Sequence, residues 1–193
     1  MIQQMDVPRS VESCLQQLAQ ARDPDQLLTA VQAVAETRHP ATIEPLLQAL
    51  TYNNPAIFEV AVQGLASIGE PAVQPLIDRL EHFDYGSRFQ GLRALLMIGD
   101  ARARTAYEYW LKADITPSVR RICIKGLGQF QDMESRHFVA RALSDQEWSV
   151  RYCAIGTLAS WGLTAETRSV LEPLCSDPER VIRLKAAQIL ASS

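Results

Sequence analysis

Positive charge, lysine and long apolar runs are all scarce in this chain of 193 residues. Its 19 Lys and Arg are outnumbered by 22 Asp and Glu, for a formal net charge of −3. The global positive field that nonspecific nucleic-acid binding draws on is therefore missing. The longest apolar stretches are broken within a few residues by charge or glutamine, and Met1 to Asp6 hold no basic segment followed by an apolar one. The expectation is a cytoplasmic protein with no membrane insertion. The four cysteines, Cys14, Cys123, Cys153 and Cys175, are too dispersed for a zinc pattern and read as reduced thiols. His39, His82 and His137 stand apart from one another without ligand spacing, so no metal site is expected. Absence of a P-loop, a dinucleotide glycine pattern and a nucleophile elbow argues against a conventional kinase, dehydrogenase or hydrolase.

What the chain has is repetition. It is 47% hydrophobic and 21% charged, enough to bury a sizeable core at single-domain length. Openings with Asp or Asn recur at Asp23, Asn53, Asp84, Asp114, Asp145 and Asp177, at intervals of 30, 31, 30, 31 and 32 residues. That period falls in the range of stacked helical repeats. After four of the openings an arginine precedes a core aliphatic by seven positions: Arg88 to Leu95, Arg120 to Leu127, Arg151 to Leu158 and Arg183 to Leu190. Seven residues are about two helical turns, so each pair shares a stripe. Phe58 and Leu65 keep this spacing without the arginine, and Leu27 and Val34 keep it more faintly.

Shorter helices are expected between these, over 43–50, 73–80 and 170–175, with Gly69 and Gly99 ending the preceding helices and Pro71 opening the next. Pro45, Pro75 and Pro173 fall near the starts of the shorter helices or inside them, where they are tolerated in the first turn and bend the helix deeper in. No strand pattern competes. The reading is an all-α chain forming a single repeat array over 1–193. Residues 1–22 form an N-terminal cap, and the last unit is truncated to its second helix with an open, apolar end suited to a partner.

Val119-Arg120-Arg121 and Val150-Arg151, each several residues after an Asp, resemble HEAT repeats of the phycobilin-lyase type. The stretch Asp84-Tyr85-Gly86-Ser87-Arg88, running through Arg93-Ala94-Leu95 to Ile98-Gly99-Asp100-Ala101-Arg102-Ala103, is more specific. Together with Pro117-Ser118-Val119-Arg120-Arg121 and Lys125-Gly126-Leu127-Gly128, it resembles the F subunits of E/F-type phycocyanobilin lyases. The repeat likeness spans most of the chain and the F-subunit likeness spans Asp84 to Gly128.

The resemblance implies a HEAT-repeat α-solenoid, a curved right-handed stack of about five to six helix pairs. It also implies a lyase subunit that works as a heterodimer with an E-type subunit. Its substrate would be phycocyanobilin, joined by a thioether to a cysteine of the phycocyanin α subunit, in cyanobacterial cytoplasm or plastid stroma near phycobilisomes. No prosthetic group is implied. Two departures stand out: Phe58 replaces the repeat arginine, and Gln131-Asp132-Met133 replaces a Gly-Asp turn, so these repeats are expected to be irregular. A related F subunit that also isomerises the bilin carries adjacent His and Cys; here Cys123 and His137 are 14 apart, which favours ligation alone.

Thioether formation adds a cysteine thiol of the acceptor protein across an ethylidene double bond, so the lyase need not supply a nucleophile. Its task is to bind and orient the bilin. Two propionates call for arginine forks, and the candidates are Arg88, Arg93, Arg120 and Arg121. Tyr85 and Phe89 offer faces for stacking, and Asp84 or Asp114 could bond pyrrole nitrogens. Against this stands a structural reading in which the repeated Asp and Arg pair between repeats and fix the stack. Arg120, Arg151 and Arg183 fall in that register, whereas Arg93 and Arg121 lie off it. Tyr85 could equally pack over the next repeat. Trp110, Trp148 and Trp161 read as packing anchors and stay outside the expected site, and Cys123 and Cys153 read as inert rather than as bilin carriers. Two other functions remain open on the same scaffold: a noncatalytic adaptor, and a chromophore-detachment or phycobilisome-degradation factor.

Overall fold

A computed structural model describes residues 9–192, with Arg9 described by its backbone alone. The first eight residues of the expected cap and the terminal Ser193 lie outside the described residues. Every regular element among the described residues is helical, and no single helix is long and apolar enough to cross a membrane. The chain divides into two compact units, Met1–Ala103 and Arg104–Ser193.

The first unit contains α1 (Arg9–Gln20), α2 (Pro24–Glu36), α3 (Ile43–Ala49), α4 (Pro55–Ile68), α5 (Val73–Arg79) and α6 (Tyr85–Ile98). The long helices start by a shared device: Asp23, Asp84 and, one residue beyond the expected opening Asn53, Asn54 each turn a side-chain oxygen onto backbone N–H groups of the first turn, at 2.8 Å to Gln26, 2.8 Å to Ser87 and 3.0 Å to Ala56. Pro24 and Pro55 then occupy the first helical position, where a missing N–H costs nothing. Gly69 and Gly99 end α4 and α6 with φ of 78° and 73°, as the sequence predicts. Pro45 and Pro75 are the third residues of α3 and α5, within the turn that has no intrahelical acceptor to lose.

Long helices pack on long helices, α2 on α4 and α4 on α6, while α3 and α5 fill the second layer. Val34, Leu65 and Leu95, the aliphatic ends of the seven-residue spacing, are fully buried. At the α2/α4 crossing a Cβ on Gly64 would lie 2.8 Å from that of Ala35, so glycine sets the approach. Despite Phe58, α4 forms without interruption.

The second unit contains α7 (Arg104–Ala113), α8 (Pro117–Leu127), α9 (Met133–Arg141), α10 (Trp148–Ser160), α11 (Ala165–Leu171) and α12 (Arg180–Ala191). Here α7 packs on α8, α8 on α10 and α10 on α12, with α9 and α11 beside α10. Leu127 and Leu158 are buried in register with Leu95 of the first unit, and Leu190 is half-buried. At the irregular Gln131 the chain takes φ 53° without a glycine, and Asp132 then caps α9 through the Ser135 N–H at 2.8 Å. The irregularity is confined to one backbone residue.

The ladder between repeats is present in this unit. Arg120 of α8 holds Asp145, at the opening of the next long helix, by both edges of its fork at 2.8 Å. Its remaining nitrogen donates to the carbonyls of Asp114 and Ile115 at 3.1 and 2.9 Å. Arg151 of α10 repeats the arrangement with Asp177 at 2.8 Å and with the carbonyls of Asp145 and Gln146. Each aspartate also accepts the backbone N–H two residues on, Glu147 for Asp145 and Glu179 for Asp177. One carboxylate thus fixes a turn and ties it to the previous helix.

Candidate functional site

The residues singled out by sequence divide among several local roles. Asp84 caps α6, and the Ser87 N–H holds its carboxyl below the usual range. Tyr85 follows it with 65% exposure, and Phe89, one turn further, is half-buried. Arg88 turns back from α6 and donates to the carbonyls of Leu80 at 3.0 Å and Phe83 at 2.6 Å. Arg93 lies across the α4/α6 contact and grips Glu59 bidentately at 2.5 and 2.9 Å. Asp114 is buried and accepts the Thr116 N–H at 2.7 Å. Arg120 is 6% exposed and fully engaged in the ladder. Arg121, the next residue, is exposed, about 100° round the helix from it.

Arg121 leads into a groove that most of the sequence candidates do not share. The groove encloses about 650 Å³ between α8, α10 and α12. Its wall on α8 is Arg121 and Lys125, its floor on α10 includes Trp148, Tyr152, Cys153 and Gly156, and its wall on α12 is Val181 and Lys185. Arg121 and Lys125, Trp148, Tyr152 and Gly156, and Val181 and Lys185 recur four apart on their helices, so each set is a single stripe, with Cys153 on the row beside that of Tyr152. Gly156 has open space where a Cβ would stand, which deepens the floor. Trp148 and Tyr152 are 44% and 38% exposed, unusual for large aromatics on packed helices. The ammonium of Lys185 lies 5.5 Å from the centre of the Tyr152 ring.

Three cations and no carboxylate line this groove. Burial pushes the Cys153 thiol up, opposed by the charges of Lys125 and Arg121. The same thiol donates to the Arg121 carbonyl at 3.7 Å. Such a surface suits an elongated, conjugated, anionic ligand: the rings stack and the carboxylates find bases on either wall. A smaller hollow of about 300 Å³ on α2 and α4 is lined by Glu36 and Glu59 as well as Arg38, and lacks aromatic side chains. It offers neither feature.

Of the residues lining this groove the sequence singled out Arg121 for the site, set Trp148 aside as a packing anchor, and gave no reason to pick Lys125, Tyr152 or Lys185. The available signal was the spacing Trp148, Tyr152, Gly156, Ser160 on one helix, taken together with exposure that periodicity alone does not reveal. Trp161, by contrast, behaves as the packing anchor expected, donating to the Gly128 carbonyl at 2.9 Å beneath the Arg136 guanidinium. Cys123 is fully buried, and desolvation drives its thiol well above the usual range. Among the described residues no cluster of His, Cys, Asp and Glu could hold a metal ion.

Residues 11–96 and 106–191 each match the model of HEAT repeats, one match in each unit. The chain is 34% identical over 180 residues to the phycocyanin alpha phycocyanobilin lyase CpcF of a Synechocystis species, covering 87% of this chain and 83% of that protein. It is 35% identical over 198 residues to the bilin biosynthesis protein RpcF of a Synechococcus species, covering 90% and 92%. The solved complex of CpcE and CpcF of phycocyanin lyase from a Nostoc species includes a chain similar to this one. The TM-score is 0.70 and the identity 28%, over 78% of this chain and 99% of that one. With relatives of this identity matched over most of their length, the chain belongs to the HEAT-repeat family of phycocyanobilin lyase F (beta) subunits.

Proposed function

We propose that this chain is the F-type subunit of a heterodimeric bilin lyase. It holds phycocyanobilin in the α8/α10/α12 groove and, with an E-type subunit, assists attachment to a cysteine of the phycocyanin α subunit. The groove carries this reading: two exposed aromatic rings lie between three cations with no competing carboxylate. The bilin is substrate and no prosthetic group takes part. In the reaction the acceptor sulfur bonds to the ethylidene carbon, the π bond opens, and the thiol proton ends on the tetrapyrrole; nothing is oxidised or reduced. The chain contributes position, for which effective molarity is the source of rate. Arg121 and Lys125 on one wall and Lys185 on the other pair with propionates, while Trp148 and Tyr152 stack against the rings. Tyr85 and Phe89 remain candidates for a second contact at the start of α6. The work belongs in the cytoplasm or plastid stroma, where phycobilisomes assemble.

Titration of the purified chain with phycocyanobilin, read by absorbance, tests the groove. Lys125→Glu together with Lys185→Glu should weaken binding tenfold or more, since each charged hydrogen bond contributes about 1.5 to 3 kcal/mol. Unchanged affinity in the double variant would remove the groove from the mechanism. Co-expression with an E-type subunit, apo-phycocyanin α and a bilin source then tests the activity. Covalent bilin on the acceptor is expected only with both subunits. A product formed without this chain would leave it a noncatalytic adaptor.

A further inference from the structure

The ladder of the second unit contains its own unfilled copy. Arg183 of α12 donates to the carbonyls of Asp177 and Pro178 at 2.7 and 2.9 Å, as Arg120 and Arg151 do to the openings of their own helices. In those two arginines the other edge of the fork is closed by the aspartate of the following repeat. Among the described residues no carboxylate meets that edge of Arg183. The apolar register shows the same gap. Four residues after the ladder arginine, Ile124 and Ile155 are fully buried, whereas Ala187 is exposed. Leu184, in the position of Arg121 and Tyr152, is 58% exposed. The face of α12 that looks away from α10 is therefore shaped for one more repeat: a guanidinium edge awaiting a carboxylate, beside small and apolar side chains awaiting a helix.

We infer that this face of α12, centred on Arg183, Leu184 and Ala187, seats a helix pair of the E-type partner subunit, whose repeat-opening aspartate closes the Arg183 fork. The inference rests on the reading above that the chain works with such a partner. Charge complementarity selects the occupant, because the free edge of a guanidinium takes a carboxylate in bidentate geometry. HEAT repeats supply one at a fixed place in each turn, as Asp145 and Asp177 show here. Because Val181 and Lys185 of the same helix wall the groove, seating there brings the partner within one helix of the ligand. The groove then continues past Leu184 along the new repeat.

Sedimentation of mixtures of the full chain with the E-type subunit gives the first readout. Leu184→Asp should weaken the complex tenfold or more while leaving the melting curve of the isolated chain in place, since Leu184 is exposed; Arg183→Gln should weaken the complex as much, and its own melt registers separately the loss of the bonds to the Asp177 and Pro178 carbonyls. A photo-reactive phenylalanine analogue in place of Ala187 should cross-link to a partner peptide that begins a helix just after an aspartate. Wild-type affinity in both variants, or a cross-link to a second copy of this chain, overturns the inference and leaves the bilin groove standing. Failure of the wild-type chain to bind the E-type subunit at all overturns the partner reading with it, which the bilin titration registers separately.

Discussion

At the scale of single residues, one step along a helix separates a sealed ion pair from an open groove. Arg120 is sealed into the ladder, and Arg121, rotated by about 100° on the same turn, opens onto the groove. Register made that distinction legible in the sequence, but exposure did not follow from register. Trp148 shares the look of a packing anchor with Trp161 and differs only in what surrounds it. Gly126 was equally silent: a Cβ there would meet the ring of the buried Tyr107 at 2.5 Å. Gly126→Ala should therefore lower stability by about 2 kcal/mol through overpacking, read as a reduced denaturant midpoint with unchanged slope. An unshifted midpoint would mean that α7 and α8 have room to part. The cysteines provide another check. Cys175 is exposed, Cys153 is half-buried and Cys123 is enclosed. Alkylation at mildly basic pH should label them in that order, with Cys123 unreactive until the chain unfolds. Early labelling of Cys123 would reopen its role as a bilin carrier.

At the scale of elements, helix starts were the most legible feature because they depend on few atoms. Asp23 and Asp84 cap their helices directly. Asp114, Asp145 and Asp177 instead stand two residues ahead of the caps, where they bond the next turn. Sequence periodicity could not separate these two uses of aspartate, since for Asp145 and Asp177 the difference lies in an arginine from the preceding repeat that reaches across. The ladder makes a quantitative expectation. Asp145→Ala strands the Arg120 guanidinium, with its side chain only 7% exposed, without its carboxylate, at a cost of about 3 kcal/mol. The matching change at Arg93, Glu59→Ala, breaks a pair whose members are 30% and 45% exposed and should cost less than about 1 kcal/mol. Thermal melts of the two variants side by side separate a stacking contact from a surface one; equal losses would mean that the ladder is no more than surface charge.

At the scale of the whole molecule, the carboxylates decide how the fold responds to acid. Arg93 holds Glu59 below its usual range, the Ser135 N–H does so for Asp132, and Arg102 brings Asp100 to about 2. Burial would raise Asp177, but the Arg151 fork, the Glu179 N–H and the charges of Arg151 and Arg183 outweigh it and leave it lowered. A carboxyl lowered by folding stabilises the native state at any pH above its unfolded value near 4, and that contribution is lost as pH falls through the folded value. Glu108 has the opposite sign. Burial and the neighbouring charge of Glu134 raise it against the pull of Arg104, and one of its oxygens has no hydrogen-bond donor. Its contribution is present in acid and disappears as pH rises through the folded value. The lowered groups outnumber the raised one, so the denaturant midpoint should hold steady above about pH 5 and fall below about pH 4. Glu108→Gln should raise the midpoint at neutral pH, because it removes a poorly solvated charge from beside Glu134 and Asp132, and lose that advantage in acid, where Glu108 itself is protonated. A midpoint that climbs on acidification in the wild-type chain would show that repulsion among acidic groups, rather than the arginine pairs, dominates the electrostatics of the fold.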